Sequence, residues 1–329
     1  METNADLQVY DLAHLGLVAG IMDRMKLVET VDHQVGPRPN EKVSTGVALK
    51  AAVLNALGFV ASPLYLFGHF FQGKPTELLL GKGITPDLLN DDRMGRMLDD
   101  LFEAGVTEVF LEVAKRTRQA FPFPVQALHV DSTSFHVHGR YGSGEEGQTV
   151  DAGDEPRAIR VTYGYSRDHR PDLQQWAVNL VCADTGGIPL LFAPGDGNQS
   201  DREALPAGEA LGRYKDRTWT VERGFRFLKD PLFFASSTFL KRPERVMALA
   251  LLVYALGEWA LRRGLAGTGS SLPDQKGKPT QRPTLRWVFQ LFLWVRLVVL
   301  EGRPRVLNLT PHHETAARLL GVERYYHLE

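Results

Sequence analysis

The heptapeptide Leu128-His129-Val130-Asp131-Ser132-Thr133-Ser134 sets a carboxylate inside a run that otherwise reads as a buried strand. A lone charge in such a run is costly, so it survives by binding a metal or another cation, or by accepting backbone hydrogen bonds at a strand end. This feature alone leaves both readings open. The run also opens a stretch unlike the one before it. From residue 12 to about 120 the apolar side chains recur three and four apart, with punctuation at Gly36-Pro37, at Gly73 and across 81–86, which is a helical pattern. One helix of this region is capped by Asn90, buries Met94, Met97, Leu98 and Leu101, and stops before Gly105. Phe121-Pro122-Phe123-Pro124 ends the region, because each proline disfavours helix at the residue before it.

Downstream, residues 127–138, 158–166 and 176–184 are β-rich, and a shorter run, 188–192, follows the turn Asp184-Thr185-Gly186-Gly187. Strands in succession predict an antiparallel meander. Residues 139–154, rich in glycine and acid, read as a loop between them. Helix resumes after the capping stretch Asn198-Gln199-Ser200 and continues with one break over 201–240. Pro243 opens a further helix expected to reach residue 263, since proline is tolerated in the first turn. Residues 264–283 have no apolar face and read as a linker, and helices are expected over 284–300 and 311–320. The fold class is therefore α+β. Its expected units are a helical domain over 1–122, a mixed core over 123–263, and a linker with C-terminal helices over 264–329.

Composition excludes several classes. With 43% hydrophobic and 23% charged residues in 329, the chain has material for a sizeable core and lacks a disorder signature. The 38 basic and 39 acidic side chains nearly cancel, so any nucleic-acid footprint must be local. A single cysteine, Cys182, excludes an internal disulfide and a cysteine-rich zinc site. Two apolar runs, 246–261 and 285–300, resemble membrane spans. The first has Glu258 and Arg262 near its end and the second carries Arg286 and Arg296, which are costly in hydrocarbon, so buried helices of a soluble protein are expected and no membrane partner. The chain's first residues lack a basic segment ahead of an apolar one, and a cytoplasmic location is expected.

A second chemical feature is Tyr214-Lys215-Asp216-Arg217 followed by Val221-Glu222-Arg223-Gly224-Phe225-Arg226-Phe227-Leu228-Lys229. On a helix, Val221, Phe225 and Leu228 share one face while Glu222, Arg226 and Lys229 share the next, aligning one carboxylate with two cations. Taken alone, this is also what an ordinary amphipathic helix with a Glu-Arg pair looks like. Between residues 213 and 245 nine Lys or Arg stand against four acids, a local basic footprint.

Together the two features resemble the DDE transposases of bacterial insertion sequences, in the subgroup with a Tyr, Arg, Glu, Lys signature. That family's Glu and Lys lie seven positions apart, as Glu222 and Lys229 do, and its first-strand aspartate matches Asp131. Further blocks also resemble that branch: 164–172, 222–234, 239–248 and Pro283-Thr284-Leu285-Arg286-Trp287. The resemblance implies an RNase H-like catalytic core, DNA cleavage and strand transfer at transposon ends, and Mg²⁺ or Mn²⁺ as cofactor. It implies Asp131 and Glu222 as catalytic metal ligands, with two divalent ions about 3.5–4 Å apart serving an in-line phosphodiester displacement. Tyr214, Arg217, Arg226 and Lys229 would contact DNA, although four residues separate Arg217 from Glu222 where the signature has three. The implied partners are terminal inverted repeats, target DNA and a second copy in a homodimer.

The chain departs from the family at one place. A second catalytic aspartate belongs on a further strand ahead of the glutamate helix, yet only 21 residues lie between Ser200 and Glu222, with no β-branched run able to form a core strand. This implies an internal deletion near 207–213, within a core truncated between about 205 and 214, with strand transfer impaired and the Asp131 strand left with an open edge. A non-catalytic DNA-binding remnant or inhibitor is the alternative. Asp184, Asp196 and Asp201 could replace the missing aspartate, but each has an ordinary structural role in turn, loop or helix start. His136-Val137-His138 offers a zinc-type motif, but strand alternation puts it on the face opposite Asp131.

Overall fold

A computed structural model describes residues 7–137, 159–165, 170–199 and 244–328. Strand β1 (Leu7–Asp11) leads into helices α1 (Leu15–Arg24), α2 (Leu27–Val35) and α3 (Thr45–Ala56). Short helices α4 (Phe67–Phe71) and α5 (Thr76–Leu80) precede the longer α6 (Asp91–Glu103) and α7 (Val106–Ala120). The expected caps are present. The Asn90 side chain accepts from the Arg93 amide at 2.9 Å to start α6, and Ser44 accepts from Val47 at 3.3 Å to start α3. Met94, Met97, Leu98 and Leu101 are all buried, as the spacing predicts.

Three strands follow, β2 (Leu128–Val137), β3 (Gln174–Ala183) and β4 (Pro189–Gly195), in an antiparallel sheet of order β2-β3-β4. The antiparallel meander is thus as expected for three of its four runs. Of the run 158–166, however, the described residues supply only an isolated bridge, Thr162 with Gln175. Gly164 explains part of this: a Cβ there would stand 2.0 Å from the Gly197 carbonyl oxygen, so the segment is held by close backbone approach.

Helix α8 (Glu244–Thr268) runs five residues past the expected end and packs on α1, α3 and β4. The expected linker is instead the end of that helix and a small hairpin, β5 (Leu272–Pro273) with β6 (Pro279–Thr280). The helix expected over 284–300 is also corrected. Only α9 (Leu285–Leu291) and one 3-10 turn are helical, and the chain then forms β7 (Arg296–Leu300) and β8 (Arg303–Leu307). Two causes are visible: the β-branched pair Val298-Val299, and the turn Glu301-Gly302, both with positive φ (51° and 76°), which suits a two-residue hairpin. Helix α10 (Pro311–Leu320) matches the predicted span and ends on Gly321 in the left-handed region.

Strand β1 pairs with β7, so the first and last described segments share a sheet of order β1-β7-β8. Tyr326 joins the same ends. Its hydroxyl donates to the Ala13 carbonyl at 2.9 Å and accepts from the Leu17 amide at 3.0 Å. The architecture is α+β, and no described helix is long and apolar enough to cross a membrane.

Candidate functional site

Asp131 lies fourth in β2, which pairs with β3 over ten residues without a register break. Directly opposite residues of an antiparallel pair share a face, so Asp131, Leu180 of β3 and Phe192 of β4 form one row across the sheet. Leu180 and Phe192 are buried, and the Phe192 ring meets Phe110 of α7 at 6.0 Å. The carboxylate therefore stands on the face that packs against the helices. It is half-buried, and its Oδ1 accepts from the amide of Ser132 at 2.8 Å. Among the described residues β2 pairs with β3 alone, which leaves the strand bearing Asp131 at the margin of the sheet.

The same face carries His129 and Thr133, two positions to either side and both buried. Nε2 of His129 has no hydrogen-bond partner. Sequence reasoning missed this imidazole, although alternation of polar residues at 129, 131 and 133 was the signal for it. His136 projects from the opposite face, across from Gln175, so the unbroken register separates it from Asp131; His138 lies outside the described residues.

Asp184 opens the Thr185-Gly186-Gly187 turn and accepts from the Gln126 amide at 3.1 Å, while Asp196 holds Arg160 through its amide at 2.8 Å and its Nε at 3.3 Å. Both are bound into loops. Glu222, Tyr214, Arg217, Arg226, Lys229, Asp201 and the deletion expected near 207–213 lie outside the described residues. Among the described residues no group of three His, Cys, Asp or Glu side chains could hold a metal ion.

Residues 7–115 match a family model described as a domain of unknown function (DUF4277). The match covers β1 through most of α7, about a third of the chain, and stops short of Asp131. No curated protein and no solved structure matches the chain.

Proposed function

We propose that the chain is a transposase-type protein of an insertion sequence, built for metal-dependent DNA cleavage and strand transfer on an RNase H-like core, and impaired in chemistry. The observation that carries this reading is Asp131, a carboxylate on the helix-packed face of the first strand of an antiparallel meander. The spacing of Glu222 and Lys229 supports it from the sequence, and so does the matched N-terminal family, which is known in transposase-like proteins.

In this reading Asp131 and Glu222 hold Mg²⁺ or Mn²⁺, which when bound supplies Lewis-acid activation of the attacking oxygen and stabilisation of the leaving one. The chain's own contribution is to orient. The Ser132 amide at 2.8 Å fixes one carboxylate oxygen of Asp131, and the packed row behind it limits the strand's motion. Tyr214, Arg217, Arg226 and Lys229 hold phosphate oxygens of the bound end. A dimer on the terminal repeats and target DNA is the expected assembly.

The alternative, a non-catalytic DNA-binding remnant, is favoured by the 21 residues between Ser200 and Glu222, which hold no β-branched run able to form the core strand that a second aspartate needs. Gel shifts against the repeats flanking the gene, paired with a Mg²⁺- or Mn²⁺-dependent cleavage assay, separate the two. Weak cutting that Asp131→Asn abolishes while binding persists is the expected result. Binding with no cutting under either metal favours the remnant, and strong cutting unaffected by Asp131→Asn overturns the site.

A further inference from the structure

A second polar site lies well away from Asp131, inside the segment matched by the family model. The loop between α2 and α3 and the first turns of α6 enclose an open cleft of about 590 Å³, lined among others by Arg38, Glu41, Lys42, Asn90, Arg93 and Arg96. Its floor is an ion-pair network. Arg93, 4% exposed, reaches Glu41 at 2.9 Å, the Thr45 hydroxyl at 2.9 Å and Asp100 at 3.6 Å, and Asp100 also pairs with Arg38. Two guanidinium cations and two carboxylates cancel there, and Glu103 stands a further 3.8 Å from Arg38. Yet Nε and Nη1 of Arg93 have no hydrogen-bond acceptor, so the buried guanidinium retains unused donor capacity beneath the cleft.

The rim is not balanced. Lys42 and Arg96 are exposed, and among the described residues no carboxylate pairs with either. Asp91 and Asp92 in the first turn of α6 are exposed and do not line the cleft. The start of that 13-residue helix, at Asn90, adds its amide dipoles to the same opening. Two unneutralised cations, a helix start and an under-satisfied buried arginine converge on one concavity, and each of them favours an anion with several oxygen acceptors.

We propose that this cleft seats a backbone phosphate of DNA, with Lys42 and Arg96 making the contacts and Arg93 setting the field from below. The choice of DNA as the source of the phosphate rests on the strand-transfer reading above. A groove of this size, open to solvent, admits a nucleotide unit whose neighbours continue along the surface.

The test uses the full chain, a fluorescently labelled mixed-sequence duplex, and anisotropy over a range of salt concentrations. Lys42→Ala and Arg96→Ala alter exposed side chains, and circular dichroism of each variant checks that its fold is retained. Each is expected to weaken binding roughly three- to ten-fold and to lower the slope of log affinity against log salt by about 1. Binding that neither variant changes overturns the cleft and leaves strand transfer standing. Cleft-dependent binding without metal-dependent cutting supports the cleft and counts against strand transfer instead. A thermal shift produced by inorganic phosphate, with no duplex binding by the wild-type chain, overturns DNA as the source.

Discussion

At the residue scale, His14 is a titratable group that burial ties to stability. Its ring lies buried between Phe59 and Phe289, with Nε2 on the Leu57 carbonyl at 2.9 Å. Burial, with Lys74 nearby, holds its pKa at about 4 against an ordinary 6.5. The unfolded chain takes up a proton as pH falls through 6.5, whereas the folded chain resists until about 4. Stability should therefore be full above 6.5 and fall across the window from 6.5 to 4, by about 3 kcal/mol in total. Burial also lowers His313, which acts in the same direction. Urea melts at a series of pH values check this, and a midpoint that stays level down to pH 4.5, about four fifths of the way through the window, contradicts it. Cys182 offers a second test. Burial in the β2-β3-β4 sheet pushes its thiol up to about 12, so a thiol reagent at neutral pH should label it only as fast as the sheet opens. Immediate labelling of the native chain would mean that the helix-packed face is not closed.

At the element scale, what could be read from sequence follows locality. The Asn90 cap, the span of α10 and the three-strand meander are specified by residues a few positions apart, and they are present. Strand β1 was not legible because its partner is far along the chain: Asp11 meets Arg296 at 2.7 Å across 285 positions. Strand β7, within 284–300, was not legible because the apolar residues there also satisfy helical spacing, and only the pairing with β1 and β8 selects extension. Small residues on α1 show what this long-range packing demands. A Cβ on Gly20 would stand 2.4 Å from Cγ1 of Val322, and one on Gly16 would stand 2.8 Å from the Tyr326 ring. Alanine in mid-helix is worth up to about 1 kcal/mol over glycine, but forced overpacking costs about 1–3 kcal/mol, so the steric effect wins. Gly20→Ala is expected to lower the melting temperature by about 1–3 °C. A higher one would show that the C-terminal segment yields freely.

At the scale of the whole molecule, Asp131 was legible because a charge within an apolar run stands out, and alternation gives its face. The cleft residues Lys42 and Arg96 were not, since a loop and a helix 54 positions apart bring them together only after folding. The same long-range closure makes a claim about the N-terminal segment. The family match ends at residue 115, yet β1 takes its hydrogen bonds from β7, α1 and α3 pack on α8, and Tyr326 satisfies both the Leu17 amide and the Ala13 carbonyl. Lys50, 4% exposed, bonds Asp23 at 2.6 Å in a network completed by Tyr325 and Arg324. Cutting the chain after residue 122 would remove β7, α8, Arg324, Tyr325 and Tyr326 at once, leaving an unpaired edge strand, the Ala13 carbonyl without its tyrosine donor and an apolar helix face in water. Such a fragment should show no cooperative thermal transition, and supplying residues 244–329 in trans should restore one. A sharp two-state melt of the fragment alone would refute this account of how the ends of the chain hold the helices together.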